Sequence, residues 1–172
     1  MFNIKKRDIQ AKIHNIEHHR SHIASSFFAS RFEKSAILSV DGFGDFTSTM
    51  LAIGNKNNLQ VLDVVNYPHS LGILYTTITQ FLGFPNYGDE YKVMGLASYG
   101  EPRYLNELKQ ILQLTDGGLY KLNSKYFRYF NEGISMSWKN GAPVIDVLFS
   151  DALEDVFWKH RSSGDQIEQK HF

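Results

Sequence analysis

Four of the seven histidines fall within nine residues, as His14, His18, His19 and His22. Neutral imidazoles suit zinc, iron and related divalent ions. His18 and His22 are four apart, which on a helix puts both rings on one face, about one turn apart and close enough to share an ion. His19 and His22, three apart, are the rival pair. The residues inside the first pair are His19-Arg20-Ser21. They lack the glutamate of H-E-x-x-H, so the general base of a zincin-type hydrolase is missing. A polar helix end with histidines as surface or capping groups satisfies the same spacing.

The second constellation is Asp41-Gly42-Phe43-Gly44-Asp45. A carboxylate follows an apolar run, and two glycines let the backbone approach an oxyanion or phosphate closely. An ordinary hairpin turn starts the same way. The spacing is neither G-x-x-x-x-G-K-[ST] nor G-x-G-x-x-G, which excludes a P-loop and a dinucleotide fingerprint. Two imidazoles with Asp41 would make a 2-His-1-carboxylate set, suited to Fe(II) and leaving positions open for substrate. A third segment runs from Asp89-Glu90-Tyr91-Lys92 into Val93-Met94-Gly95-Leu96-Ala97. Lys92 can meet a phosphate or pair with Asp89 or Glu90, and Gly95 and Ala97 leave room for a ligand or another backbone. The aromatic set Tyr120, Tyr126, Phe127, Tyr129 and Phe130 has no basic stripe beside it, so it reads as core or interface.

Composition bounds these readings. Among 172 residues, 42% are hydrophobic and 21% charged, enough to bury a core. Lys plus Arg and Asp plus Glu are 18 each. Zero net charge argues against nonspecific attraction to nucleic acid or membrane. There is no cysteine, which excludes disulfides, thiolate catalysis and Cys-ligated metal. No apolar run is long enough to span a bilayer, and the basic start has no apolar stretch of a secretory signal behind it. A cytoplasmic setting is the expectation.

The elements that must position these groups follow from periodicity. Lys12–Glu17 reads as a short strand and Arg20–Ser30 as a helix with Ile23 and Phe27 inward. Strands over 36–40, 47–53 and 59–65 make an antiparallel meander. Ser70 caps a helix through Leu71, Leu74, Ile78 and Phe81 that stops at Gly83. Helices follow over Tyr91–Tyr99 and Leu105–Leu112, then a small hairpin from 119–122 to 125–129. Ile145, Leu148, Phe149, Leu153 and Phe157 suggest a last amphipathic helix, and Lys159–Phe172 is polar without a core face. Three strands followed by helices give an α/β or α+β class.

With these motifs in order, the chain resembles the O-carbamoyltransferase family, the nodulation-factor and antibiotic-tailoring carbamoyltransferases. The resemblance rests on Glu17-His18-His19-Arg20-Ser21-His22, Val40-Asp41-Gly42-Phe43-Gly44-Asp45, Ser70-Leu71-Gly72 and Glu90-Tyr91-Lys92-Val93-Met94-Gly95-Leu96-Ala97. It implies an α/β lobe of the ribonuclease-H-like, actin/Hsp70/sugar-kinase type, incomplete relative to the family domain. A basic tail at 1–11 would precede a partial transferase domain at 12–160 and a polar tail at 161–172. Family members carry a YrdC-like domain that makes carbamoyl-adenylate from carbamoyl phosphate and ATP. The N-terminal domain then passes the carbamoyl group to a small-molecule hydroxyl.

The resemblance also implies a metal, commonly iron, held by His18, His22 and Asp41, with His19 a neighbour. Gly42, Gly44, Asp45 and Lys92 would lie at the carbamoyl-adenylate. Asp45 stands where many members have Glu. A further metal aspartate and the YrdC-like domain are expected outside this chain, as are the first strands of the domain. The competing readings are a non-catalytic metal- or nucleotide-binding module and a structural domain whose histidines cap a helix.

Overall fold

The computed structural model describes residues 11–172. The basic segment at 1–11 lies, but for Ala11, outside the described residues. In chain order the elements are α1 (His18–Ala29), β1 (Lys34–Gly44), β2 (Thr47–Asn55), β3 (Asn58–Asn66), α2 (Leu71–Phe81), α3 (Glu90–Ala97), α4 (Leu105–Ile111), β4 (Leu112–Leu114), β5 (Tyr120–Leu122), α5 (Tyr129–Glu132), β6 (Met136–Lys139) and β7 (Ala142–Ile145). The described residues thus form a mixed α/β arrangement of antiparallel sheets and five helices.

The meander forms as read, in the order β1-β2-β3. Ile37 stands opposite Ala52, and Ala52 opposite Val61. These positions and Met50 pack with Ile23 of α1. A Cβ at Gly54 would lie 2.5 Å from the Phe27 ring, so that glycine lets the helix lie close on the sheet. Elsewhere Leu38 and Leu62 stay exposed.

Helix α1 begins at His18, two residues before the expected start. The Glu17 carboxylate accepts from the N–H groups of His19 (3.1 Å) and Arg20 (2.7 Å). The Asp45 carboxylate accepts from the N–H of His18 at 3.1 Å. Two anions thus meet the unpaired amides and the positive end of the helix. The strand expected over Lys12–Glu17 is absent: Ile13 and Ile16 are exposed and no ladder forms there.

Helix α2 is set by Ser70. Its hydroxyl accepts from the N–H of Ile73 (3.1 Å) and donates to the Gly42 carbonyl (2.6 Å), with the Asp41 carbonyl at 3.2 Å. A Cβ on Gly72 would come within 2.7 Å of the Gly42 backbone. Only glycine lets the first turn of α2 rest on the Asp41–Gly42 peptide. The buried Tyr120 hydroxyl accepts from the N–H of Leu71 (3.2 Å) and bonds the Thr49 hydroxyl (2.8 Å), tying helix to sheet. Beyond this joint lies the larger core, built on Phe81, Ile111, Phe127, Tyr129, Leu148 and Leu153.

Three expectations for the C-terminal third are corrected. Tyr120–Leu122 pairs with Leu112–Leu114, not with 125–129. The Asp116-Gly117-Gly118 turn, with Gly118 at φ +81°, closes that hairpin, and Ser124–Tyr126 is a single 3₁₀ turn. The amphipathic helix over 145–157 does not form. Asn140 and Gly141 both have positive φ (52° and 78°) and close the β6–β7 hairpin. Leu148–Ser150 then runs extended beside Tyr126–Arg128, leaving only a 3₁₀ turn at Asp151–Leu153. Pairing with a distant segment overrides the local apolar period. The polar 161–172 segment also has an inward side. Arg161 is buried, donating from Nε to the Leu82 carbonyl at 2.6 Å, and His171 is buried beside Trp158.

The Ser70 joint generates a stability prediction. Ser70→Ala removes the cap of α2 and its tie to Gly42, and is expected to cost about 1–2 kcal/mol of unfolding free energy in denaturant titration. An unchanged midpoint would contradict the assigned role.

Candidate metal centre

His19, between the two histidines of interest, decides where they point. It has no accessible surface. Its Nε2 lies 3.0 Å from the Thr47 carbonyl, which only accepts, so Nε2 carries the proton. Nδ1 then accepts from the Ser39 hydroxyl at 2.8 Å. His19 is therefore a link between α1 and the sheet. The rival His19–His22 pair is not the one assembled.

With His19 turned into the sheet, His18 and His22 stand one turn apart over the end of β1. His18 Nε2 lies 2.9 Å from His22 Nε2 and 3.1 Å from Asp41 Oδ2, and His22 Nε2 lies 3.7 Å from the same oxygen. Among the described residues this is the group of histidine and acidic side chains whose donor atoms converge in this way. Two donors each about 2.1 Å from one ion stand about 3.0–3.4 Å apart at octahedral to tetrahedral angles. The three separations straddle that range, and the set of two imidazoles and one carboxylate suits Fe(II) and similar ions. All three side chains keep an open side, with 40–52% of their surface accessible.

Second contacts orient the set. The other Asp41 oxygen accepts from the N–H of Gly42 at 2.6 Å. Burial pushes the Asp41 carboxyl up. The Gly42 amide and the two imidazoles outweigh it and hold the group below its ordinary value. Gly44 has a steric role, since a Cβ there would overlap the His18 ring.

The other expected site residues are distributed differently. Asp41 and Gly42 line a cleft of about 710 Å³ together with Tyr75, Thr76, Tyr87 and Glu90. Gly44, Asp45 and Lys92 are not among its lining side chains. Asp45 caps α1. Lys92 pairs with Asp89 at 2.8 Å and lies over the Phe84 and Tyr91 rings. Burial pushes Asp89 up, but the Lys92 ammonium and the Asn86 amide hold it below the usual range. Gly95 has open space around it. Sequence reasoning missed Tyr75, Thr76 and Tyr87, whose shared face depends on how α2 and α3 meet. A smaller apolar cavity of about 160 Å³, between α2, α3 and α4, lies away from these donors.

Residues 1–153 match the family described as Carbamoyltransferase N-terminus. The chain belongs to that family. It is 42% identical over 141 residues to the uncharacterized protein sll1178 of a Synechocystis strain, covering 81% of this chain and 23% of that protein. It is 42% identical over 113 residues to nodulation protein NolNO of Sinorhizobium fredii, covering 65% of this chain and 16% of the relative. It is 40% identical over 111 residues to nodulation protein NolO of Bradyrhizobium diazoefficiens, covering 63% and 20%. The chain thus spans about a sixth to a quarter of the length of these relatives. No helix among the described residues is long and apolar enough to cross a membrane.

Two predictions follow from this geometry. A methyl at Gly44 displaces the His18 ring, so Gly44→Ala is expected to weaken Co(II) binding about 10- to 100-fold in a spectroscopic titration. Retained affinity would detach Gly44 from the site. In chelator-treated protein, Asp41 held below its ordinary 3.8 contributes stability above about pH 4 and loses it as pH falls through its lower folded value. With the side chain half exposed, the gap between wild type and Asp41→Asn is expected to stay under about 1 kcal/mol at pH 7 and to close in acid. A gap constant with pH would contradict it.

Proposed function

We propose that this chain is part of the transferase domain of an O-carbamoyltransferase and contributes the metal-binding end of its active site. The observation that carries the reading is the convergence of His18 Nε2, His22 Nε2 and Asp41 Oδ2, with Asp41 also lining a cleft, in a chain of the carbamoyltransferase N-terminal family. The antiparallel meander with helices is compatible with a ribonuclease-H-like lobe, and we propose that architecture for the whole domain. The rest of the site, a further aspartate ligand included, would come from other parts of the intact protein.

The resident ion would be divalent, with Fe(II) the best match to two imidazoles and a carboxylate. Bound there, it would supply Lewis-acid polarisation of a phosphoryl or carbonyl oxygen. The chain's own residues do the rest. His18 and His22 are held at fixed angles by the burial of His19. Asp41 is kept ionised by the Gly42 amide. Gly42 presents bare backbone to the cleft, where an adenylate phosphate can approach closely.

In the proposed reaction the oxygen of an acceptor hydroxyl bonds to the carbamoyl carbon of carbamoyl-adenylate. The bond from that carbon to the phosphate oxygen breaks, AMP leaves with the electron pair, and the hydroxyl proton is lost to a base. A YrdC-like domain acting on carbamoyl phosphate and ATP would supply the adenylate in a cytoplasmic setting. Positioning and electrostatic placement carry most of the catalysis in such a step.

Metal analysis tests the assignment. The purified chain is expected to bind one Fe(II) or Co(II) per molecule, with His18→Ala and His22→Ala each losing at least about tenfold in affinity and His14→Ala unchanged. Metal content insensitive to both substitutions would overturn the site.

A further inference from the structure

The cleft lined by Asp41 and Gly42 has a second polar centre at Glu90. Glu90 opens helix α3, and its Oε1 accepts from the Thr76 hydroxyl of α2 at 2.6 Å. The bond joins two helices, so the carboxylate has a defined place. Its other oxygen has no hydrogen-bond partner among the described residues, and Glu90 is only half-buried, as a lining group of the cleft. An acidic residue in the first turn of a helix is ordinary. One that is fixed by a hydroxyl from a neighbouring helix and turned to a cleft is more than a helix cap.

The surroundings narrow the chemistry of a ligand. Tyr75 and Tyr87 line the same cleft with large exposed areas. Burial and the nearby Glu90 carboxylate push the Tyr75 hydroxyl up, so it stays a neutral donor. Gly88, at φ +87°, has nothing near its Cβ position and leaves the space beside Tyr87 open. Lys92 is spent on Asp89, so no free cation offsets Glu90 from within its own turn of helix. A carboxylate accepts from hydroxyl groups, and tyrosine faces cover the C–H surface of a ring. Together they fit a hydroxylated ring and disfavour an anion.

We propose that Glu90, held by Thr76, is the positioning residue that accepts a hydrogen bond from the hydroxyl-bearing acceptor, with Tyr75 and Tyr87 as the walls against which the acceptor ring lies. The proposal rests on the transferase reading above, since it sets the acceptor in the cleft that Asp41 also lines. It assigns to α2 and α3 the choice of acceptor, and to α1 and β1 the metal.

The test is saturation-transfer NMR on the 172-residue chain, with glucosamine and maltose as hydroxylated-ring probes and glucose 6-phosphate as the anionic counterpart. Wild type is expected to bind at least one neutral or cationic probe and to bind the phosphate more weakly. Glu90→Ala is expected to lose about tenfold in affinity, the worth of one hydrogen bond to a charged group, with Glu90→Gln intermediate. Tyr87→Ala, at an exposed position, is expected to weaken binding with an unchanged melting curve. No binding by wild type, or binding indifferent to all three substitutions, overturns the proposal. Co(II) affinity measured on the same samples separates the two readings. Intact metal binding without ring binding sinks only the Glu90 assignment, and ring binding without metal binding sinks only the metal centre.

Discussion

A buried imidazole holds the site in place. His19 sits inside the sheet, donating to the Thr47 carbonyl and accepting from the Ser39 hydroxyl. It thereby sets the rotation of α1 about its own axis, because one residue of the helix is bonded to β1 and β2 at once. The rings on either side, His18 and His22, then face the end of β1 where Asp41 stands. Losing these bonds would leave two strand groups without their partner in a dry place, which costs more than a surface contact returns.

A second joint controls the cleft. Ser70 and Gly72 bring the start of α2 onto the Asp41–Gly42 peptide, and Tyr120 locks the same turn to Thr49. Asp41 and the cleft wall therefore share one backbone contact. Polar groups carry much of this joint, and each hydroxyl is paired, as buried polar atoms must be. Among the described residues, Trp158 Nε1 and Glu107 Oε2 are the buried side-chain atoms without a partner, and neither residue lines the cleft of Asp41.

Much of the first half was legible from the chain. The meander, the Ser70 cap and the helix after it appear where alternation, turn residues and the 3.6 period put them. The converging pair was legible as a spacing, though the choice between His18 and His19 needed the start of α1, which Glu17 and Asp45 set together. The second half was less legible. The apolar run from Ile145 to Phe157 has a helical period, and the turns at Asp116-Gly117-Gly118 and Asn140-Gly141 emerge only with the hairpins they close. The middle of that run, Leu148–Ser150, instead pairs in extended form with Tyr126–Arg128, a contact between segments some twenty residues apart.

The sequence by itself determined the family and the broad class of fold, because those depend on residue identity and on spacing within a helix or strand. Tertiary structure alone decided which histidine is buried, that Gly44 exists to admit the His18 ring, and that Asp45 and Lys92 are occupied by a helix end and by Asp89. It also decided that Glu90 and Asp41 share one cleft. The physical reason is the same in each case. A side chain's role depends on what stands across from it, and that partner comes from a distant part of the chain brought near by packing, which local periodicity does not encode.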